Sequence, residues 1–326
     1  MRLLRLLLPL VAVALTLTVL AGCGGGGGPS FKPIELVPQD ANFIGDVQIE
    51  RIINDPDFQN AYNQSPKSGD EPATWDAALA KLTAETGLDL HQFNDALIFG
   101  DVTRASTYFC GIAQGTFDET QFMENIKVKS GSKFTTTSYK GYNLYIEDGE
   151  TATFAFLGKS TLLFGTTQSV KDAIDVSKGD RNRLSGQVLD TYNGLGTAIA
   201  KAALLIPESE RRKLLDDSQS EDTGLSFKPF ADADAVGMSI DKSGATETIR
   251  IEAHFVSAAS ARDAKDTVAG GISLLKGMTQ DQAAKDLLGK IEVVVSGSTL
   301  RVTFSASLSD LEKALPGFTN PLGRVP

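Results

Sequence analysis

The chain has 326 residues, with 31 Lys+Arg against 41 Asp+Glu, a formal net charge of −10, and 41% hydrophobic residues. This balance excludes a polytopic membrane protein, a collagen-like fibre and a wholly disordered chain, and the acidic sum argues against nucleic-acid binding. Two cysteines and two histidines are too few for a disulfide framework, a Cys-based zinc site or His-rich metal chemistry.

Residues 1–22 read as a signal peptide. Arg2 and Arg5 form the basic start, and Leu6 to Leu20 form an apolar core too short for a membrane span of ~20 residues. The run ends in Leu20-Ala21-Gly22-Cys23, which resembles the lipobox of bacterial lipoproteins at all four positions. That resemblance implies export, transfer of diacylglycerol to the Cys23 sulfur, cleavage before Cys23, and extracytoplasmic anchoring to a bacterial membrane. Five glycines, Gly24 to Gly28, then Pro29 and Ser30 make residues 23–32 a flexible tether. The steps from Cys23 to Phe31 reach at most ~27 Å. Loss of Arg2 and Arg5 leaves 29 basic and 41 acidic residues, net −12. Anionic headgroups repel such a body, so the lipid alone is expected to hold it to the bilayer.

The remainder predicts an α+β fold built from two weakly similar copies of a mixed strand and helix unit, 33–180 and 181–326, with mainly antiparallel hairpins. In the first copy, Asn42 to Ile49 alternates as a strand, Asp55-Pro56 starts a helix, and Trp75, Ala78, Leu79 and Leu82 mark another that Gly87 ends. Phe93 to Gly100 and Thr107 to Gly115 read as strands. Asp118 with Gln121 caps a helix. Tyr142 to Glu147, Thr151 to Leu157 and Thr161 to Gly165 are strands joined at Asp148-Gly149 and Gly158-Lys159. Val170, Ala173 and Ile174 then follow at helical spacing.

The second copy repeats this pattern. Gly196 to Ile206 fits a strand or a helix, and Pro207 starts the next helix. Asp216 to Thr223 reads as an exposed acidic linker. Phe230 to Gly237 matches Phe93 to Gly100 in spacing, and Glu247 to Val256 follows as a strand. A helix opens near Ser257 and carries Ala261, Ala264, Val268, Ile272 and Leu275. Thr279 with Gln282 caps another, closed by Gly289. Ile291 to Ser296 and Leu300 to Ser305 form a hairpin at Gly297-Ser298. A last helix starts near Ser309, with Glu312 in capping position and Leu311, Ala314 and Leu315 on its face. The body loosely resembles uncharacterised bacterial exported proteins, a likeness that implies fold and no mechanism.

Catalytic, cofactor and metal patterns fail one by one. Gly158-Lys159-Ser160 lacks the earlier glycine of a P-loop and sits between strands. No G-x-S-x-G elbow occurs, so Ser–His–Asp catalysis would need His91, in a loop or short helix, or His254, on the polar face of a strand with Arg250 and Glu252. Asp216, Asp217, Glu221 and Asp222, and the pair Asp232 and Asp234, lack a calcium-loop spacing. Cys110 in Tyr108 to Ile112 reads as a buried thiol and Trp75 as a core residue. The site expected is therefore the lipid attachment at Cys23, with no catalytic, cofactor or metal residue. The function expected is a non-enzymatic binding or scaffold lipoprotein of the cell envelope. Its partner is an envelope protein or, alternatively, an apolar ligand or lipid that it carries; a hydrolase with dispersed carboxylates ranks last.

Overall fold

The computed structural model describes residues 31–310 apart from 66, 68, 105, 106, 150, 151, 218–227 and 308. The chain divides into two units between Ser185 and Gly186. Cys23, tether residues 24–30, Glu221, Asp222 and the closing-helix positions Leu311, Glu312, Ala314 and Leu315 lie outside the described residues. Ser309 and Asp310 are helical.

The first unit opens with a 3₁₀ turn, Pro33–Leu36, then β1 (Phe43–Val47), α1 (Ile49–Ile53), α2 (Pro56–Gln64) and α3 (Trp75–Thr86). The starts of α2 and α3 each carry a side-chain cap. Asp55 accepts from the Phe58 N–H at 2.8 Å before Pro56, and Thr74 accepts from the Ala77 N–H at 3.3 Å. Gly87 ends α3 at φ +77°, a conformation few other residues adopt. Next come β2 (Phe93–Gly100), β3 (Phe109–Gly115), α4 (Glu119–Ser130), β4 (Phe134–Tyr139), β5 (Tyr142–Glu147), β6 (Ala152–Phe156), β7 (Thr161–Thr166) and α5 (Thr167–Lys178). Its strands lie in the order β1-β2-β3-β7-β6-β5-β4, every pair antiparallel.

The second unit runs α6 (Gln187–Gly194), β8 (Ala200–Leu205), α7 (Glu208–Asp217), a 3₁₀ turn Lys228–Asp232, β9 (Ala233–Ser243), β10 (Thr246–Phe255), α8 (Ala258–Met278), α9 (Gln282–Gly289), β11 (Ile291–Ser296) and β12 (Thr299–Ser307). Its strands lie in the order β8-β9-β10-β12-β11, again antiparallel. That order matches β1-β2-β3-β7-β6 strand for strand, so both units share one topology. The first unit adds the β4–β5 hairpin, whose Thr-rich outer strand carried no apolar alternation.

Several expectations change in detail. Gly196 to Ile206 resolves to a strand over Ala200–Leu205. Asp216 and Asp217 belong to α7 rather than to a linker. The cap of α9 is Asp281, which accepts from the Ala283 N–H at 2.8 Å, and not Thr279. The repeat also shifts register. Phe230, Ala231 and Asp232 form the 3₁₀ turn before β9, so Phe93 corresponds to Ala233 and not to Phe230. Three hydrogen bonds recur in this register. Asn42 N–H to Gly100 O at 3.0 Å matches Ile199 N–H to Ile240 O at 3.0 Å; Thr116 N–H to Gln92 O at 2.9 Å matches Val256 N–H to Asp232 O at 3.0 Å; Gly115 N–H to Ser160 O at 3.0 Å matches Phe255 N–H to Ser298 O at 2.9 Å.

Candidate functional site

The shared topology allows the two units to be compared position by position, and they differ in how one sheet face is covered. In the first unit this face is covered over its Phe93 half. Phe93, Phe117, Phe122, Phe154 and Phe156 pack with Met123, Ile126 and Leu162 in one buried cluster. Phe117, Phe122 and Phe156 meet edge-on, the arrangement that ring quadrupoles favour. The Phe164 ring lies directly over Gly111, where a Cβ would collide with it.

In the second unit the equivalent face carries aliphatic residues and is left open. Ile251, which pairs with Met238 on one side and Val302 on the other, stands where the first unit has Gly111. Helix α8 packs against β10, β11 and β12, and its first half buries Ala261 and Ala264 beside Phe255 and Leu300. Beyond this contact Met238 and Ile251 remain 41% exposed and Ile249 37%, and Leu275 and Met278 of α8 are exposed as well. Strand alternation puts Ile249 and Ile251 on the α8 side of the sheet, so they are inner-face residues that the described residues leave partly exposed. An uncovered apolar patch of this kind marks a binding surface more often than a scattered surface leucine does.

The other face of the second unit is polar. Glu252, almost fully buried, accepts from Arg301 Nη2 at 2.9 Å, and Arg250 Nη1 donates to Leu195 O at 2.7 Å. Gly194 lets α6 come close, because a Cβ there would meet the Glu252 carboxylate at 2.6 Å. The same positions in the first unit are Ile112, Leu163 and Cys110, all apolar and buried.

His254 does more than occupy the polar face of its strand. Its Nδ1 lies 2.6 Å from Asp234 Oδ1, and its Nε2 lies 2.8 Å from Ser298 Oγ. Two local features bring these residues together. Asp234 is the extra residue of a β-bulge, since His254 pairs with Ala235 and Phe255 with Ala233, and a bulge re-aims its side chain. Ser298 sits in the two-residue turn between Ser296 and Thr299, opened by Gly297 at φ +59°, with Thr299 paired to His254. His254 and Asp234 keep 23% and 31% of their side chains exposed. Single-strand periodicity placed His254 correctly but carried no sign of partners 20 and 44 residues away.

The other sequence candidates stay apart. His91 is exposed and bonded only to Asp89 beside it, at 2.9 Å. Cys110 is fully buried, and burial pushes its thiol far above the usual range. Gly158-Lys159 forms the β6–β7 turn, with Gly158 at φ +76°. Trp75 is part-buried against Phe58 and Tyr62 and donates from Nε1 to Ile53 O at 3.3 Å. Among the described residues, no group of three or more His, Cys, Asp or Glu side chains is placed to hold a metal ion, and no helix is long and apolar enough to cross a membrane.

No family model matches the chain, and a search of curated proteins finds no match. Among solved structures, three crystal forms of TP0453 are similar in chain path. Form III has a TM-score of 0.45 at 11% identity, covering 88% of this chain and 99% of that one. Form I gives 0.42 at 10% identity over 90% and 99%, and form IV gives 0.44 at 11% over 87% and 97%. Likeness at this level carries no conclusion about what the chain does.

Proposed function

We propose that the protein is a lipid-anchored, extracytoplasmic binding protein of the bacterial envelope, and that the open face of its second unit takes an apolar ligand. Cys23 with its lipobox-like context supports the anchor, and the glycine run supports a short tether. One observation carries the ligand reading: Met238, Ile249 and Ile251 are inner-face residues left more than a third exposed, whereas Ile98 and Phe109, which hold the places of Met238 and Ile249 in the first unit, are part-buried. Covering each 100 Å² of such surface contributes about 2.5 kcal/mol. The residues around it are unbranched or γ- and β-branched aliphatics, a lining suited to an acyl or alkyl chain rather than to a polar metabolite. Binding, not turnover, is the task proposed for this face.

Native mass spectrometry of the full chain, purified gently from its own envelope, tests the reading. A reproducible extra mass that denaturation releases is expected. The doubly substituted chain Met238→Glu, Ile251→Glu should lose that mass while keeping its circular dichroism. A bare mass from the unsubstituted chain, together with no uptake of a dansylated fatty acid, would sink the ligand reading and direct the search to a protein partner by crosslinking in intact cells.

A further inference from the structure

We propose that Ser298 is a nucleophile for acyl esters, with His254 as its general base and Asp234 as the residue that positions the imidazole. The chain Asp234–His254–Ser298 has the two contacts that activation of a serine requires, base to nucleophile at 2.8 Å and orienting carboxylate to base at 2.6 Å. With the Asp234 carboxylate accepting from Nδ1–H, neutral His254 presents Nε2 as an acceptor, and the Ser298 hydroxyl donates to it. Ser298 is only partly buried, so an ester can reach its Oγ from solvent.

The duplication supplies the control. Both units bulge at the second residue of the equivalent strand. In the first, Phe93 pairs with Gly115 and Asp95 with Gln114, leaving Asn94 as the extra residue. Asn94, Gln114 and Ser160 therefore hold the places of Asp234, His254 and Ser298. Bulge and strand pairing form there with two uncharged amides, and a turn one residue longer, Gly158 to Ser160, closes the hairpin. The fold needs polar side chains at these positions, but not an imidazole and a carboxylate. Only the second unit has a base, and only there does the serine face one.

The chemistry balances with water as the one co-reactant. As Ser298 Oγ bonds to the acyl carbon, His254 Nε2 takes its proton. The acyl–oxygen bond to the leaving alkoxide breaks, and that alkoxide leaves with the proton from Nε2. Water then attacks the acyl-serine, again through His254, releasing the carboxylic acid and restoring the hydroxyl. Gly297 and Ser298 lie beyond the last ladder pair, Ser296 with Thr299, so their N–H groups stand outside the β11–β12 ladder. His254 alternates with Ala253 along β10, which puts its ring on the face opposite Ile251. The proposal thus stands apart from the apolar-ligand reading.

The test uses the full chain and a fluorophosphonate probe, which bonds to an activated serine oxygen with loss of fluoride. Peptide mapping should show Ser298 labelled at least tenfold faster than Ser160, a comparison that needs no variant. H254Q and D234N install side chains the first unit tolerates at the same places. H254Q should cut labelling by about 10²-fold. D234N should slow labelling about tenfold, and Asp234→Glu, which keeps a carboxylate for Nδ1–H, should recover part of that rate. Labelling of Ser298 no faster than Ser160, or unchanged in H254Q, overturns the nucleophile. Unchanged labelling in D234N, or no recovery in Asp234→Glu, overturns the role of Asp234.

Discussion

Asp46 and Asp95 lie diagonally across the β1–β2 ladder: Asp46 pairs with Leu97, and Asp95 stands two residues from Leu97 on the same face. Burial and then the nearby Asp46 charge push the Asp95 carboxyl up to about 6. Its Oδ1 is buried without a hydrogen-bond partner. The side chain opposite it, Gln114, is committed to Phe31 O at 2.9 Å and Thr161 Oγ1 at 3.0 Å. A carboxyl raised on folding stabilises fully below its unfolded value of ~4, and that contribution is lost as pH rises through about 6. Asp95→Asn should therefore raise stability above pH 7 by on the order of 2 kcal/mol and leave it nearly unchanged at pH 4. Urea unfolding of both chains at the two pH values reads this; an equal effect at both would refute it.

Tyr108 and Asp172 make the opposite case, a buried carboxylate with every oxygen engaged. Tyr108 Oη and Gln168 Nε2 each donate at 2.8 Å, Arg181 Nη1 donates at 2.8 Å, and Arg181 Nη2 reaches back to Asp40 at 2.8 Å. Asp172→Ala leaves the buried phenol without its acceptor and the guanidinium with Asp40 alone, and should cost about 2–3 kcal/mol, whereas Tyr108→Phe should cost about 1 kcal/mol. Burial and the Asp172 hydrogen bond raise the Tyr108 phenol, so its contribution holds below its unfolded value of ~10 and falls away above it. Stability of the Phe variant should decline less steeply in alkali. Equilibrium denaturation from pH 9 to 11 measures the difference.

The pair Gly111 and Phe164 tests whether the two units are covered differently by necessity. Gly111→Ala drives a methyl into the Phe164 ring, which packs against the buried phenylalanine cluster, at a cost of about 1–3 kcal/mol. The second unit carries Ile251 opposite Val302 at these positions. Adding Phe164→Val to Gly111→Ala should thus recover part of the loss, so that the double substitution costs less than the sum of the singles. Additive losses in a double-mutant cycle would show that the ring is not the obstacle.

Much of this architecture was legible because it is local. Asp118 before Gln121, Asp148-Gly149 between alternating runs, and Gly87 after an apolar stripe each act within a few residues, and the helices and hairpins stand where those signals fall. β4 was missed because Thr135, Thr136 and Thr137 are exposed and show no apolar alternation; their β-branching before Lys140-Gly141 was the available signal. The repeat register slipped by three residues because Phe-x-Asp-Ala occurs twice, once within a strand and once across a 3₁₀ turn. The Asp234–His254–Ser298 contacts depend on a bulge and a turn that place partners by strand pairing. No spacing along one strand encodes that.

The anchor concerns residues outside the described body, and its logic is electrostatic. With net charge −12 after loss of residues 1–22, the body gains nothing from an anionic surface. A single acyl chain binds marginally and two or more bind stably, so membrane retention should depend wholly on Cys23. Cys23→Ser should release the chain from washed membranes at every salt concentration, while the unsubstituted chain stays bound in high salt. An electrostatic attachment would show the reverse, weakening as salt screens charges beyond ~10 Å. Intact-mass analysis of the N-terminal peptide should find diacylglycerol on the Cys23 sulfur, and a peptide that begins at Met1 would refute cleavage.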